Sequence, residues 1–442
     1  MANTLITFLE KINAFLWNGP IILILAATHL FFTIRLRPQR LTLHALKLSV
    51  TPEKKTNGKG LSGFATLATT LAATLGTGNI VGVSTAIALG GPGALFWCFL
   101  TGLFGMATAY AECYLSCVYR KTLPDGTSAG GPMYVLEQGM KSKFMAKFYA
   151  TCVLCAAIGV GCTTQSSAIA DAAYSTWRLS PHIIGIAAAL LTGMVILGGI
   201  SSIGTFCTRL VPPLSFLYMG ACLFLMWQNR SFLLPSLSLI LSSAFTARAA
   251  GGGFVGSTFL IAARFGIARG LFTNEAGIGT AAIAAGASAT ASPVRQALIS
   301  MTAVFWDTII MCTLTGFTIV SSILAHPGST KGYTEAGLTN AAFAYLPFGG
   351  NAFLTLALIA FALATLVGWC YLGEKGAAYL FGEAGVRSYH LVYIVMIYIG
   401  AIIPMGLVWS VTDLVNAIMV LPNVICLFFM FRYISRPTKK SY

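Results

Sequence analysis

The stretch Thr74-Leu75-Gly76-Thr77-Gly78-Asn79-Ile80-Val81-Gly82 lies in the middle of an apolar run from about residue 61 to 89. As one helix that run would be about 43 Å long, against a hydrocarbon core of about 30 Å. Its poorest helix formers sit at its centre, so the residues predict a helix that breaks at mid-membrane. Lipid cannot satisfy freed backbone groups, and such a break survives only where it is buried in protein or lines a cavity. It offers two kinds of ligand. Amides opening the second half, at Gly78, Asn79 and Ile80, turn a positive dipole end toward an anion such as a carboxylate. Carbonyls left free on the first half, at Thr74, Leu75 and Gly76, can hold an alkali cation together with hydroxyls from another helix. Together they suit a zwitterion travelling with a cation. A packing role is also open, because Gly78 and Gly82 have G-x-x-x-G spacing, and the two roles can coexist. A dinucleotide-binding loop is excluded by the G-x-G-x-x-x-G spacing and by the lack of a soluble strand-helix unit.

A second break is expected at Gly277-Ile278-Gly279, into which Thr273-Asn274-Glu275-Ala276 runs directly. Glu275 is the most informative acid, because an ionised carboxylate near mid-membrane costs about 2.5 to 3.5 kcal/mol on insertion scales and marks a pathway by default. It can receive an ammonium, balance the cation, or pair with Arg264 or Arg269 as a brace. Asp307 and Glu112 read as buried structural partners or gating pairs, and Asp413 as interfacial. Gln165, in the polar strip 163–167, can accept from an ammonium or bond between helices. Thr365 and Trp369 stand one helical turn apart and share a face: a hydroxyl for the cation and an indole over a small side chain, or simple packing.

These residues must be positioned by membrane helices. Hydrophobic residues make up 57% of the 442 and charged residues only 9%, against about a quarter charged in soluble domains. The surplus of 27 Lys and Arg over 12 acids comes without a basic helix, zinc pattern or aromatic platform, so nucleic acid is excluded as a partner. The eleven Cys and five His are scattered without metal-site or disulfide spacing, and no nucleophile with a base in reach is found; no cofactor and no enzyme activity are expected. Cys152 and Cys155 read as packing residues in an apolar run.

Eleven apolar runs are expected to span, the first at 14–34 and the others at about 61–89, 93–119, 144–173, 182–203, 210–228, 253–290, 295–324, 350–371, 389–407 and 411–432. With the N-terminus outside and the C-terminus cytoplasmic, 20 of the 27 Lys and Arg fall inside, five outside, and Arg264 and Arg269 within the seventh run. The positive-inside rule supports that orientation. Arg209 is expected in a short cytoplasmic turn. Gly130 to Glu137 is read as a turn and amphipathic stretch on the membrane surface, and Glu374 to Gly382 as a short helix after the ninth span. Spans two and seven are five apart and cross in opposite directions, the geometry of an inverted five-helix repeat with a broken first helix in each half. The organisation expected is an N-terminal helix and basic loop over 1–60, repeats over 61–228 and 253–432, and a cytoplasmic tail at 433–442.

At these residues the chain resembles the alanine/glycine:cation symporters, also called sodium:alanine symporters, over nearly its whole length. The resemblance is carried by Gly76-Thr77-Gly78-Asn79-Ile80, Gly90-Gly91-Pro92-Gly93-Ala94, Ala111-Glu112-Cys113, Gly130-Gly131-Pro132-Met133-Tyr134, Asp307-Thr308-Ile309-Ile310 and, most specifically, residues 269–279. It implies an all-α polytopic protein of the leucine-transporter type, with a leading helix before the inverted repeat. It further implies import of alanine or glycine coupled to Na+, less often H+. Substrate contacts are then expected at Gly76, Thr77, Gly78, Asn79, Gln165, Glu275, Gly277, Ile278 and Trp369, and Na+ contacts at Thr74, Leu75 and Thr365. Thr273 and Thr280 stand where the family more often has Ser, which bears on substrate preference. A passive channel remains a different class of reading, one in which uptake would not accumulate against a gradient. Alanine against glycine, L against D, stoichiometry and oligomeric state are not legible.

Overall fold

The structure is a computed structural model and describes residues 2–51, 60–123, 126–246, 258–330, 337–347, 349–403 and 405–440. Part of the expected basic loop, with Lys54, Lys55 and Lys59, and the expected external charges Arg248 and Lys331 lie outside the described residues. The leading run forms two helices, α1 (Ala2–Asn18) and α2 (Pro20–Leu36), separated at Gly19. A short helix α3 (Thr42–Val50) follows, not anticipated from the sequence. Then come α4 (Gly63–Thr74), whose Ser62 cap accepts from the Ala65 amide, α5 (Val83–Gly90) and α6 (Ala94–Val118). After a two-stranded ribbon of Lys121–Thr122 and Ser128–Ala129, the chain makes α7 (Pro132–Tyr134), α8 (Lys143–Ala156) and α9 (Thr164–Trp177). Two long helices follow, α10 (Pro181–Ile196) and α11 (Gly199–Gln228).

The remainder begins with α12 (Leu233–Phe245), which falls between the expected spans at 210–228 and 253–290. It continues with α13 (Phe259–Asn274), α14 (Thr280–Gly286), α15 (Pro293–Val304) and α16 (Thr313–Ala325). The chain closes with α17 (Leu338–Phe343), α18 (Gly350–Ile402), α19 (Met405–Phe429) and α20 (Phe431–Lys440). Among the described residues six helices are long and apolar enough to cross a membrane, or seven with the bent pair α4 and α5 counted as one span. Their outer faces carry large apolar side chains such as Phe144, Phe216, Trp227 and Leu356, whereas Glu112, Gln165, Glu275, Asp307 and Thr365 are buried inside. This is the inside-out polarity that lipid as solvent selects.

Three expectations change here. The turn expected near Arg209 lies at Leu197–Gly198, where Gly199 has φ +70°, and Arg209 sits within α11. The Pro212-Pro213 pair does not end that helix. Residues 132–136 are buried rather than lying on the membrane surface. Pro132 packs against Gly279 and Gly131 against Ile283, so the Gly-Gly-Pro-Met-Tyr stretch is a plug beneath the second break, its apolar side turned to protein instead of lipid. Glu374 to Gly382 is no separate element but the continuation of α18, which kinks at Gly382, where φ is +69° and ψ −167°.

At one face the two broken helices are stitched together. The Leu61 amide donates to the Ala287 carbonyl at 3.1 Å and the Ala289 amide to the Leu61 carbonyl at 2.8 Å. Arg120 Nη1 adds a bond to the Ser288 carbonyl at 2.7 Å. The opposite face carries α17. Between them α18 crosses close to α4, because Gly368 presents no side chain to its backbone. A Cβ there would stand 2.7 Å from the Ala73 nitrogen. Gly368→Val is therefore expected to cost about 1–3 kcal/mol by overpacking, lowering the thermal unfolding midpoint in detergent. Gly220, with nothing within 4 Å, is the control: Gly220→Ala leaves the midpoint unchanged or raises it, helix propensity favouring Ala by up to about 1 kcal/mol.

Candidate functional site

The first break falls where the glycines stand. Helix α4 stops at Thr74, Leu75 leaves the helical region at φ −74°, ψ 86°, and the chain re-forms as a π-helical turn over Gly78–Gly82 leading into α5. The two halves are bent by 54°. Asn79 closes the break with its side chain. Its Oδ1 accepts from the Gly76 amide at 3.2 Å, and its Nδ2 donates to Asp307 Oδ1 at 2.7 Å and to the Asp307 carbonyl at 3.2 Å. Asp307 Oδ2 in turn accepts from Thr308 Oγ1 at 2.7 Å. Asp307 lies in a second π-helical turn, Phe305–Cys312, whose widened hydrogen-bond spacing leaves the carbonyl available. The Asn79 side chain is thus occupied by the brace.

The second break is sharper. Helix α13 ends at Asn274, and then Glu275, Gly277 and Gly279 adopt φ of +53°, +92° and +95°. Glycine accounts for two of these, since a Cβ disfavours that region. The released backbone is held from outside: the Gly277 amide donates to Glu112 Oε1 at 2.8 Å, and Asn423 Nδ2 donates to the same Oε1 at 2.6 Å and to the Gly277 carbonyl at 2.9 Å. Tyr149 donates to the Ile278 carbonyl at 2.8 Å. Leu25 and His29 of α2 pack behind Gly277, so the leading helix buttresses this break. Glu112 is the structural partner expected. Asn423 and Tyr149 were missed, although an amide inside the apolar run 411–432 is a signal in itself.

Between the breaks, side chains from α9 and α18 meet. A Cβ on Gly76 would lie 2.8 Å from Thr365 Oγ1 and 3.3 Å from Gln165 Oε1, so Gly76, Gln165 and Thr365 enclose one small space. Thr365 donates to the Phe361 carbonyl at 3.0 Å and approaches the Leu75 carbonyl at 3.3 Å. The Thr74 hydroxyl turns back to the Thr70 carbonyl at 3.3 Å. Trp369, one turn beyond Thr365, is fully buried and packs on Gly161, where a Cβ would clash with it at 2.1 Å. Gly161 belongs to a further π-helical turn, Ala157–Thr163, immediately before Gln165. The Glu275 carboxyl faces Thr280 and the Trp369 indole. Neither Arg264 nor Arg269 pairs with it among the described residues; Arg264 and Arg269 instead lie over the rings of Phe265 and Phe272. The brace alternative for Glu275 is therefore set aside. Gln165 Oε1 is buried without a hydrogen-bond partner, whereas the Thr280 hydroxyl and the Trp369 indole N–H are turned toward the Glu275 carboxyl. A buried oxygen left unmet beside a helix break is what a polar ligand would satisfy.

The sodium:alanine symporter family model matches residues 2–442. The chain belongs to that family. It is 42% identical over 441 residues to an uncharacterized transporter of Haemophilus influenzae, covering 99% of this chain and 96% of that one. It is 40% identical to the sodium/alanine symporter AgcS of Methanococcus maripaludis, covering 98% and 96%. Among solved structures it resembles MhsT in complex with L-phenylalanine, with TM-score 0.58 at 14% identity over 86% of this chain and 90% of that one. The fold is that of the leucine-transporter type, and this chain is a multi-pass membrane transporter of an amino-acid symporter family, not an enzyme family.

Glu112→Ala would leave the Gly277 amide buried and unpaired, at about 1–3 kcal/mol. Amide hydrogen exchange over residues 275–286 is expected to speed up by roughly tenfold or more, with distant helices unchanged; equal protection in the variant would show that the carboxylate does not hold the break.

Proposed function

We propose that this protein imports alanine or glycine with Na+ by alternating access, across a cytoplasmic membrane, with its N-terminus outside. The observation that carries this reading is a pair of helix breaks each beside buried polar side chains, Gln165 and Thr365 against Gly76 at the first and Glu275 with Thr280 and Trp369 at the second. The substrate carboxylate is assigned to the opening of the second half-helix at Thr77, Gly78 and Asn79, by the dipole argument. Its ammonium is assigned to Gln165 and Glu275. Gly76, Gly277 and Ile278 form the close walls, and Trp369 covers a side chain no larger than a methyl. Na+ is assigned to the corner where the Thr365 hydroxyl approaches the Leu75 carbonyl, with Thr74 beside it. The Lys and Arg distribution supports a stitched face that lies inside and an α17 face that lies outside.

One observation favours H+ as the coupling ion instead: among the described residues the buried Glu275 carboxyl faces only the neutral Thr280 hydroxyl and Trp369 indole, with no Lys or Arg paired to it, as a proton-carrying carboxyl would be. Labelled-alanine uptake into proteoliposomes decides between them. Accumulation is expected under an inward Na+ gradient at uniform pH and not under a pH gradient alone, while the reverse result would transfer coupling to H+. Uptake that never exceeds equilibrium, without counterflow, would indicate a channel.

Two substitutions test the assignments. Thr365→Ala removes an oxygen from the Na+ corner; hydrogen-bond and ligand interactions with a charge are worth about 1.5–3 kcal/mol, so the Na+ concentration for half-maximal uptake should rise at least roughly tenfold. Trp369→Ala should let leucine compete with alanine; continued exclusion of leucine would place the size limit elsewhere.

A further inference from the structure

On the outer surface, between α3, α4 and α11, a groove of about 300 Å³ runs inward from the lipid side. The helices α4 and α11 touch near the stitched face, where a Cβ on Gly204 would lie 2.6 Å from Leu61 Cδ2. Beyond that contact the groove opens along α11 from Pro212 to Met219. Phe64 and Phe216 flank its exposed side, and Leu67, Ala68, Leu75 and Met311, all buried, form its floor. Its two lining hydroxyls, on Ser49 and Ser215, bond back to the Ala45 and Val211 carbonyls at 2.9 and 2.8 Å. Neither is left for a polar occupant, and in a bilayer apolar surface of this kind meets acyl chains rather than water.

Length and charge narrow the occupant. From Phe64 to Leu75 the groove follows the inner half of the broken helix for about 16 Å, close to the roughly 15 Å depth of one leaflet. At its mouth stands α3, held there by Arg295, whose Nη2 donates to the Thr51 carbonyl at 3.0 Å and to the Leu48 carbonyl at 3.4 Å. Leu46, Ser49 and Val50 of α3 line the groove, while Lys47 among them is exposed. Residues 35–51 carry Arg35, Arg37, Arg40 and Lys47 and no acid. A basic segment at a membrane surface recruits anionic lipid.

We propose that this groove seats one acyl chain of an anionic phospholipid from the leaflet at the stitched face, with Lys47 at the headgroup and the chain end against Leu75. The seat differs from ordinary lipid contact in its depth, because it reaches residues that the outer surface does not expose. Leu75 also offers its carbonyl to Thr365 at 3.3 Å, so the seated chain backs the first break from the lipid side. The proposal depends on neither the transported solute nor the coupling ion.

Native mass spectrometry tests it, on the purified full-length protein stripped of lipid in detergent and then given dioleoyl phosphatidylglycerol or dioleoyl phosphatidylcholine. The wild type is expected to retain about one phosphatidylglycerol per chain, which raises its thermal unfolding midpoint, and to hold phosphatidylcholine more weakly. Lys47→Glu should weaken phosphatidylglycerol by roughly fivefold or more and leave phosphatidylcholine unchanged. Ser215→Phe, which fills the groove, should lose both the retained lipid and the rise in midpoint; Ser215→Leu takes its place if the phenylalanine variant does not fold. Lipid retained by a folded Ser215 variant lies elsewhere and overturns the seat. Equal retention of the two lipids by the wild type overturns it as well, because the headgroup then plays no part. If the wild type is a dimer and the Ser215 variants are monomers with unchanged lipid content, a second copy of the chain fills the groove and the proposal is wrong.

Discussion

A helix broken inside a bilayer must have its freed amides and carbonyls satisfied by protein, and most of this fold can be understood as the means of doing so. In lipid each unsatisfied group costs several kcal/mol. The first break is closed by Asn79, which takes the Gly76 amide on one side and anchors to Asp307 on the other. The second is closed by Glu112 and Asn423, which take the Gly277 amide and carbonyl. In each case a buried carboxyl is hydrogen-bonded by neutral donors rather than paired with Lys or Arg. That choice avoids a tight ion pair, which would lock the two parts in one arrangement, and keeps the breaks connected to helices that can move as bodies.

The sequence carried the breaks and the side chains between them because each has a local cause. Glycine at 76, 78, 277 and 279 in otherwise apolar runs is visible without any partner, and so is a Glu or Gln where only apolar residues should stand. Partners across the fold have no such signature. Nothing near Glu112 in the sequence names Gly277 or Asn423, and nothing near Asn79 shows that its side chain is taken up by Asp307. Helix ends were misplaced for a related reason. The apolar runs 182–203 and 210–228 leave Arg209 between them as the expected turn, but the turn falls at Leu197–Gly198 instead. The stretch 130–137 has the amphipathic pattern of a surface helix. Its apolar side meets the second break, because a buried protein surface and a lipid surface demand the same residue types.

The π-helical turns over Gly78–Gly82, Ala157–Thr163 and Phe305–Cys312 lie on three of the elements that carry the site residues. Each adds a residue to a helical turn, displacing the following side chains and loosening local hydrogen bonds. One such turn precedes Gln165, one contains Asp307, and one begins the second half of the broken helix. Gly76, Thr365 and Gln165 meet closely, since a Cβ on Gly76 would stand 2.8 Å from Thr365 Oγ1.

On the proposed assignments, Thr365 and Trp369 tie cation and amino acid to a single element, α18. Thr365 stands against the Leu75 carbonyl and next to Gly76, and Trp369, one turn away on α18, faces Glu275 at the other break. A ligand at either end fixes the position of α18 relative to a broken helix, and so biases the geometry offered to the other ligand. Coupling of this kind is reciprocal by thermodynamic necessity: whatever factor Na+ contributes to amino-acid affinity, the amino acid returns to Na+. Gly368, between the two side chains and seated on the Ala73 backbone, is the fulcrum of that linkage. Its lack of a side chain keeps α18 close enough to α4 for a shift at one end to be felt at the other.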